Sequence, residues 1–167
     1  TSPSSTPGKA PRGSGENICM CTRALGHALP VLGKPLFAYV PFKRAGDVAY
    51  ISGQVPRHAD GSLTTGKVGG DMSIEDAQKA AELCALHILA VAKEAAGSLE
   101  KVEFLKIFGM VNAVPGFGQQ PQVIDACSKL LFEVLGERGR HARSAVGMGS
   151  LPNRMTVEIE AILLIRD

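Results

Sequence analysis

Apolar and polar positions change period several times along this chain, and the changes divide it into elements. Leu36–Arg44 and Val48–Gln54 keep the two-residue rhythm of strands, and Ala45-Gly46-Asp47 between them predicts a hairpin turn. Val55–Gly70, with Asp60-Gly61 and three further glycines, reads as an extended loop. Ser73-Ile74-Glu75-Asp76 then has the form of a capping box. From there Ala77, Ala81, Cys84, Ile88 and Val91 recur at helical spacing to about Ala96, and Gly97 supplies the stop. Val102–Val111 predicts a strand, and Asn112–Gln120, with Pro115 and Gly116, a loop. A second helix over Pro121–Leu135 turns Ile124, Cys127, Leu131 and Val134 inward and ends at Gly136. Strands around Arg143 and Glu158 finish the chain. The order β-β-α-β-α-β-β predicts an α+β fold, one mixed sheet with both helices on one face. The other face must then be polar or covered by a second copy, and symmetric self-association is the expectation.

Composition narrows the picture. A chain of 167 residues fits one domain, expected over 33–167. Thr1 to about Asn17 is rich in Ser, Thr, Pro and Gly with Glu16 its only acidic residue, so residues 1–32 are expected to form a flexible arm. Ile18–Leu32 could equally wrap onto the domain. The arm could belong to a targeting segment, but it lacks a hydrophobic region and its prolines and glycines oppose an amphipathic helix. A net charge of +2 is too small to imply a nucleic-acid or membrane partner, and no apolar run approaches spanning length. With no Trp and 5% aromatic residues, platforms for stacking bases are scarce. Cys84 and Cys127 fall inside apolar helical patterns, where cysteine acts as a small hydrophobe. Cys19 and Cys21 form a C-x-C without a second pair, and His27, His58, His87 and His141 are scattered, so no metal site is expected. A reducing, intracellular location is the better fit, cytoplasmic or within an organelle such as the mitochondrion.

Candidate chemistry lies near the end. In Arg140–Gly147 the alternation puts His141, Arg143, Ala145, Gly147 and, beyond, Gly149 on one face, so the arginine has open space beside it. Glu158 and Glu160 share a face of the next strand. A simple hairpin centred near Ser150 would set Arg143 opposite or diagonal to Glu158, an arrangement suited to holding a small organic acid. The same spacing fits an ordinary ion pair on a sheet surface.

Tyr39, expected on the first strand, SGQVP at Ser52–Pro56, AGSLEKV at Ala96–Val102, ARSAVGMGSLP at Ala142–Pro152 and VEIEAI at Val157–Ile162 form a set of segments in register. Together they resemble the Rid family, also called YjgF or L-PSP endoribonuclease-like, in a divergent branch. The resemblance runs from about Pro35 to Ile165 and implies a chorismate-mutase-like fold, a homotrimer with pockets between subunits, and no metal or organic cofactor. It also implies an enamine/imine deaminase, which hydrolyses reactive 2-imino acids to 2-keto acids and ammonia. Arg143 stands at the position that clamps the substrate carboxylate, and Glu158 at the one that orients the attacking water or shuttles protons. Ser52 and Gly53 match the pocket strand. Tyr39 matches a pocket tyrosine, though an aromatic packed on the sheet would look the same. Many such deaminases carry a cysteine where Ala145 stands and an asparagine near Asp125; GFGQQPQVID and GERGRHARSAVG are similar to a less characterised branch.

Two other functions fit the residues. One is an endoribonuclease or translation inhibitor using the basic cluster Arg138, Arg140, His141 and Arg143, with His141 and Glu158 as an acid–base pair. A solvated loop explains Arg138 and Arg140 equally well. The other is a non-catalytic trimeric module that senses small molecules or serves as a scaffold.

Overall fold

In the computed structural model the chain is described over residues 26–35 and 37–166. Strand β1 (Phe42–Ala45) turns through Gly46-Asp47 into β2 (Val48–Gln54), and the left-handed backbone at Gly46 suits the two-residue turn. Helix α1 (Ile74–Ala96) is capped as expected: Ser73 accepts the Asp76 N–H, and Gly97 closes the helix with φ 77°. Strand β3 (Val102–Asn112) leads to α2 (Gln120–Leu135), then to edge strand β4 (Ala142–Met148) and β5 (Val157–Ile165).

The five strands lie in the order β1-β2-β5-β3-β4. Only β3 and β4 run parallel, as their connection through α2 requires. Both helices cover one face, where Ile51, Ile107, Ile159 and Leu163 meet Ala81, Ile88, Ile124 and Leu131 in a single core. A mixed sheet with two helices on one face is the α+β architecture expected from the element order.

The expected β4–β5 hairpin does not form. Strand β5 pairs with β2 and β3, while β4 pairs only with β3. The reason lies in the apolar content of the two strands. Val157, Ile159, Ala161, Leu163 and Ile165 are buried, with Ile162 and Leu164 half-buried behind them, so β5 takes the centre. Ala142–Met148, thin in large side chains, takes the edge. The link between them is not a tight hairpin turn: it carries a short 3-10 turn at Pro152–Arg154 with left-handed Asn153 and Arg154.

Tyr39 also lies elsewhere than expected. Strand β1 begins only at Phe42, and Tyr39 sits before it with half its surface exposed (53%). Of the expected arm, residues 1–25, with Cys19 and Cys21, lie outside the described residues. Leu29 and Leu32 are partly buried against the core, beside Ala90, Lys93 and Glu94 of α1.

Candidate active site

Register decides where each expected site residue points. Ile107 of β3 pairs with Arg143 on one side and Ala161 on the other, so Arg143 emerges on the helix-covered face. Met110 pairs with Val146 and Glu158, which places Glu158 on the open face. Within one chain the two expected catalytic residues therefore stand on opposite sides of the sheet.

On the helix side a cleft of about 460 Å³ opens between α2 and the start of β4, lined by Asp125, Ser128, Lys129, Phe132, Arg140, His141 and Arg143. Gly139 makes the approach to α2 possible, since a β-carbon there would collide with the Leu131 backbone. Arg143 is mostly buried, its side chain 25% exposed, with its Nη1 3.4 Å from Asp125 Oδ1 and 3.1 Å from Ser128 Oγ. Lys129 shares the Asp125 carboxylate at 3.1 Å. Ala145 packs on the core and Gly147 faces the Gln120 amide, so both share the helix-side face with Arg143 as the alternation implies.

One pairing in this cleft was not read from the sequence. His141 Nε2 lies 2.9 Å from Ser128 Oγ, and its Nδ1 lies 2.7 Å from the Gly139 carbonyl. Burial pushes the imidazole below its ordinary value; the Gly139 carbonyl opposes that push and the Arg143 guanidinium adds to it. His141 is therefore neutral near pH 7. Ser128 is one turn past Ile124 on a helix read for its apolar stripe. Its only sequence signal is a position next to the Asp125 face.

On the open face Glu158 lies against Gly53, where any β-carbon would collide with the carboxylate. Burial raises the Glu158 pKa above its ordinary value, and neighbouring Glu160 raises it further. Glu158 makes no hydrogen bond or ion pair with another described residue. A bulge between Ile51 and Gln54 turns the Ser52-Gly53 segment out of the regular ladder. Ser52 is tied to the segment before β1, its Oγ donating to Val40 O at 2.6 Å and its N–H to Pro41 O at 3.0 Å. Tyr50 and Val146 are exposed on this face, with Phe108 and Met110 half-buried beside them.

The basic cluster is divided by the fold. Arg138 Nη1 donates to the carbonyls of Leu99, Glu100 and Val102 at 2.5–3.0 Å, so it pins the start of β3. Arg140 pairs with Glu137 and lies over the Phe132 ring. His141 and Glu158, the acid–base pair imagined for RNA cleavage, are separated by the sheet. Cys84 and Cys127 are fully buried; burial pushes both thiols up, Cys127 to about 12, so neither supplies a thiolate near neutral pH.

With fold and site in place, the comparisons with known proteins agree on a class. The family described as "YjgF/chorismate_mutase-like, putative endoribonuclease" matches residues 21–158, and the chain belongs to that family. It is 36% identical over 141 residues to Protein TCP17 of Trypanosoma cruzi, covering 83% of this chain and 88% of that one. Among solved structures it is similar to the protein Atu1372 of Agrobacterium tumefaciens, with a TM-score of 0.83, 45% identity and coverage of 90% and 95% of the two chains. RidA from the Antarctic bacterium Psychrobacter sp. PAMC 21119 is a more distant relative, with a TM-score of 0.57, 26% identity and coverage of 81% and 93%. No helix among the described residues is long and apolar enough to cross a membrane.

Proposed function

We propose that this chain is an imine deaminase that hydrolyses 2-imino acids to 2-keto acids and ammonia, working as a homotrimer. The observation that carries the reading is Arg143: a mostly buried guanidinium lining a cleft, with its counter-ion Asp125 no nearer than 3.4 Å and the neutral Ser128 hydroxyl at 3.1 Å. Such a fork can exchange Asp125 for a substrate carboxylate in bidentate contact. Membership of the family, in which Arg143 matches the carboxylate-clamp position by resemblance, supports that role.

Imines hydrolyse readily, so the site has to orient reactants rather than generate a strong nucleophile. Arg143 fixes the imine carbon, and Glu158 orients the water. Because the two residues lie on opposite faces of the sheet, the complete site needs Arg143 of one subunit and Glu158 of the next. The open face, with Tyr50, Phe108, Met110 and Val146 among its residues, and the edge strand β4 are the surfaces that would meet. Gly53 gives the substrate and the Glu158 carboxylate room that a side chain would take. Ser52 holds the segment leading from Tyr39 onto that pocket, and Asp125 keeps Arg143 oriented until the substrate arrives. The commitment of Arg138 to backbone carbonyls argues against an RNA-cleaving reading of the basic cluster.

The test is pyruvate release from 2-aminoacrylate, generated in situ by a serine dehydratase, with wild type compared to Arg143→Ala. Acceleration over the uncatalysed rate that is lost in the variant supports the reading. Keto-acid binding without turnover, on 2-aminoacrylate and on bulkier imines, would instead make this a binding module.

A further inference from the structure

We propose that Ser128 and His141 form a proton relay in the Arg143 cleft, taking protons from oxygen and delivering them to the departing nitrogen of a 2-imino acid. This rests on the deaminase reading and names the group that moves protons within it.

The direction of the hydrogen bonds carries the argument. The Gly139 carbonyl can only accept, so His141 Nδ1, 2.7 Å away, carries the proton and Nε2 is left with its lone pair. Ser128 Oγ, 2.9 Å from Nε2, therefore donates its hydroxyl proton to the imidazole. Arg143 Nη1 in turn donates to Ser128 Oγ at 3.1 Å. A backbone carbonyl thus orients a base, the base holds a hydroxyl, and the hydroxyl touches the guanidinium expected to clamp the substrate. A hydroxyl and a base within hydrogen-bond reach, with a third group orienting the base, is the arrangement that proton-transfer chemistry uses. Within one chain Glu158 cannot serve this cleft, because the sheet stands between them.

The relay works twice in each turnover. Water oxygen bonds to the imine carbon as the C=N π pair moves to nitrogen. The proton that water loses goes to Ser128 Oγ while the Ser128 proton passes to His141 Nε2. Reversing the path delivers a proton to nitrogen and completes the carbinolamine. The relay then takes the new hydroxyl's proton and gives it to nitrogen again. The C–N bond breaks with its pair on ammonia, the C=O bond closes, and the relay is restored. Ser128 is the catalytic residue, and His141 acts through it.

The test measures kcat and kcat/KM for deamination against pH in wild type, Ser128→Ala, Ser128→Thr and His141→Gln. The charged groups that line the cleft with His141 are Asp125 and Lys129 from α2, Arg140 from just before β4, and Arg143 from β4. Buried Cys127 lies behind them. The expected result is an acid limb set by a group below 6.5 that vanishes in His141→Gln. Ser128→Ala should lower kcat about 100-fold with little change in KM, and Ser128→Thr should restore most of it. In wild type, pyruvate on Arg143 should shift the His141 pKa followed by NMR, since it changes both the burial and the charge around the imidazole. An active wild type whose acid limb survives His141→Gln, whose kcat survives Ser128→Ala, or whose His141 ignores pyruvate overturns the relay alone. An inactive wild type overturns the deaminase reading and the relay with it.

Discussion

The Arg143 cleft and the Glu158 pocket share one sheet but are supported in opposite ways. In the cleft every polar group has a partner: Arg143 meets Asp125 and Ser128, Ser128 meets His141, and His141 meets a backbone carbonyl. Across the sheet, Glu158 is half-buried beside like-charged Glu160, without a partner among the described residues, and its pKa rises accordingly. A connected network holds a geometry in advance, whereas a desolvated carboxylate favours whatever brings it a donor or a proton. The cleft is therefore preformed within one chain, whereas under the proposed deaminase mechanism the Glu158 side is completed by substrate, water or a neighbouring subunit.

The largest effect is expected when the two halves are put on different chains. Arg143→Ala and Glu158→Gln are each expected to abolish deamination. Mixed and allowed to exchange subunits, they should regain activity, with about a quarter of the sites carrying both intact groups if the site spans an interface. No recovery in mixed trimers, checked by native mass spectrometry, would mean that one chain supplies both.

Next in size is Gly53→Ala, which forces the Glu158 carboxylate aside. A displacement of about 1 Å at the reacting groups costs on the order of 100-fold in kcat/KM. The carboxylate end is flexible, so thermal stability should move little. Gly109→Ala should do the reverse. Its β-carbon would lie 2.6 Å from Ile124 side-chain carbons in the packed core, and overpacking there should cost about 1–3 kcal/mol in denaturant unfolding.

The smallest effects are in pH-dependent stability, and the two halves differ in sign. Glu158 holds its proton more tightly folded than unfolded, so stability falls as pH rises from the ordinary 4.5 through the raised value. Glu158→Gln should therefore be more stable than wild type above that window and lose the advantage below it. His141 holds its proton less tightly when folded, so stability falls as pH drops from 6.5 through the lowered value. His141→Gln should flatten that slope. Urea titrations at stepped pH read both.

Much of the fold was legible because its signals are local. Ser73 and Gly97 mark the ends of α1 through groups that bond within a turn of themselves, and Gly46 marks the first hairpin. The alternation around Arg143 correctly put His141, Arg143, Ala145 and Gly147 on one side. Tyr39 was misplaced because apolar residues continue through Pro41, which has no N–H for a ladder, so β1 starts only at Phe42. The pairing of β4 with β5 was misjudged because alternation describes a strand's two faces and says nothing about its neighbour. Ser128 and His141 went unpaired for a similar reason. One sits among apolar helix positions and the other before a strand, and no spacing connects them.

By itself the sequence determined the elements, the caps that end them, the apolar stripes that form the core and the residues able to do chemistry. All of these follow from interactions within a few residues of chain. The tertiary structure decided which face of the sheet each of those residues occupies and which of them meet. Strand order follows from competition for burial: apolar β5 takes the centre and thin β4 the edge. That long-range contest separates Arg143 from Glu158 and joins Arg143 to Ser128 and His141.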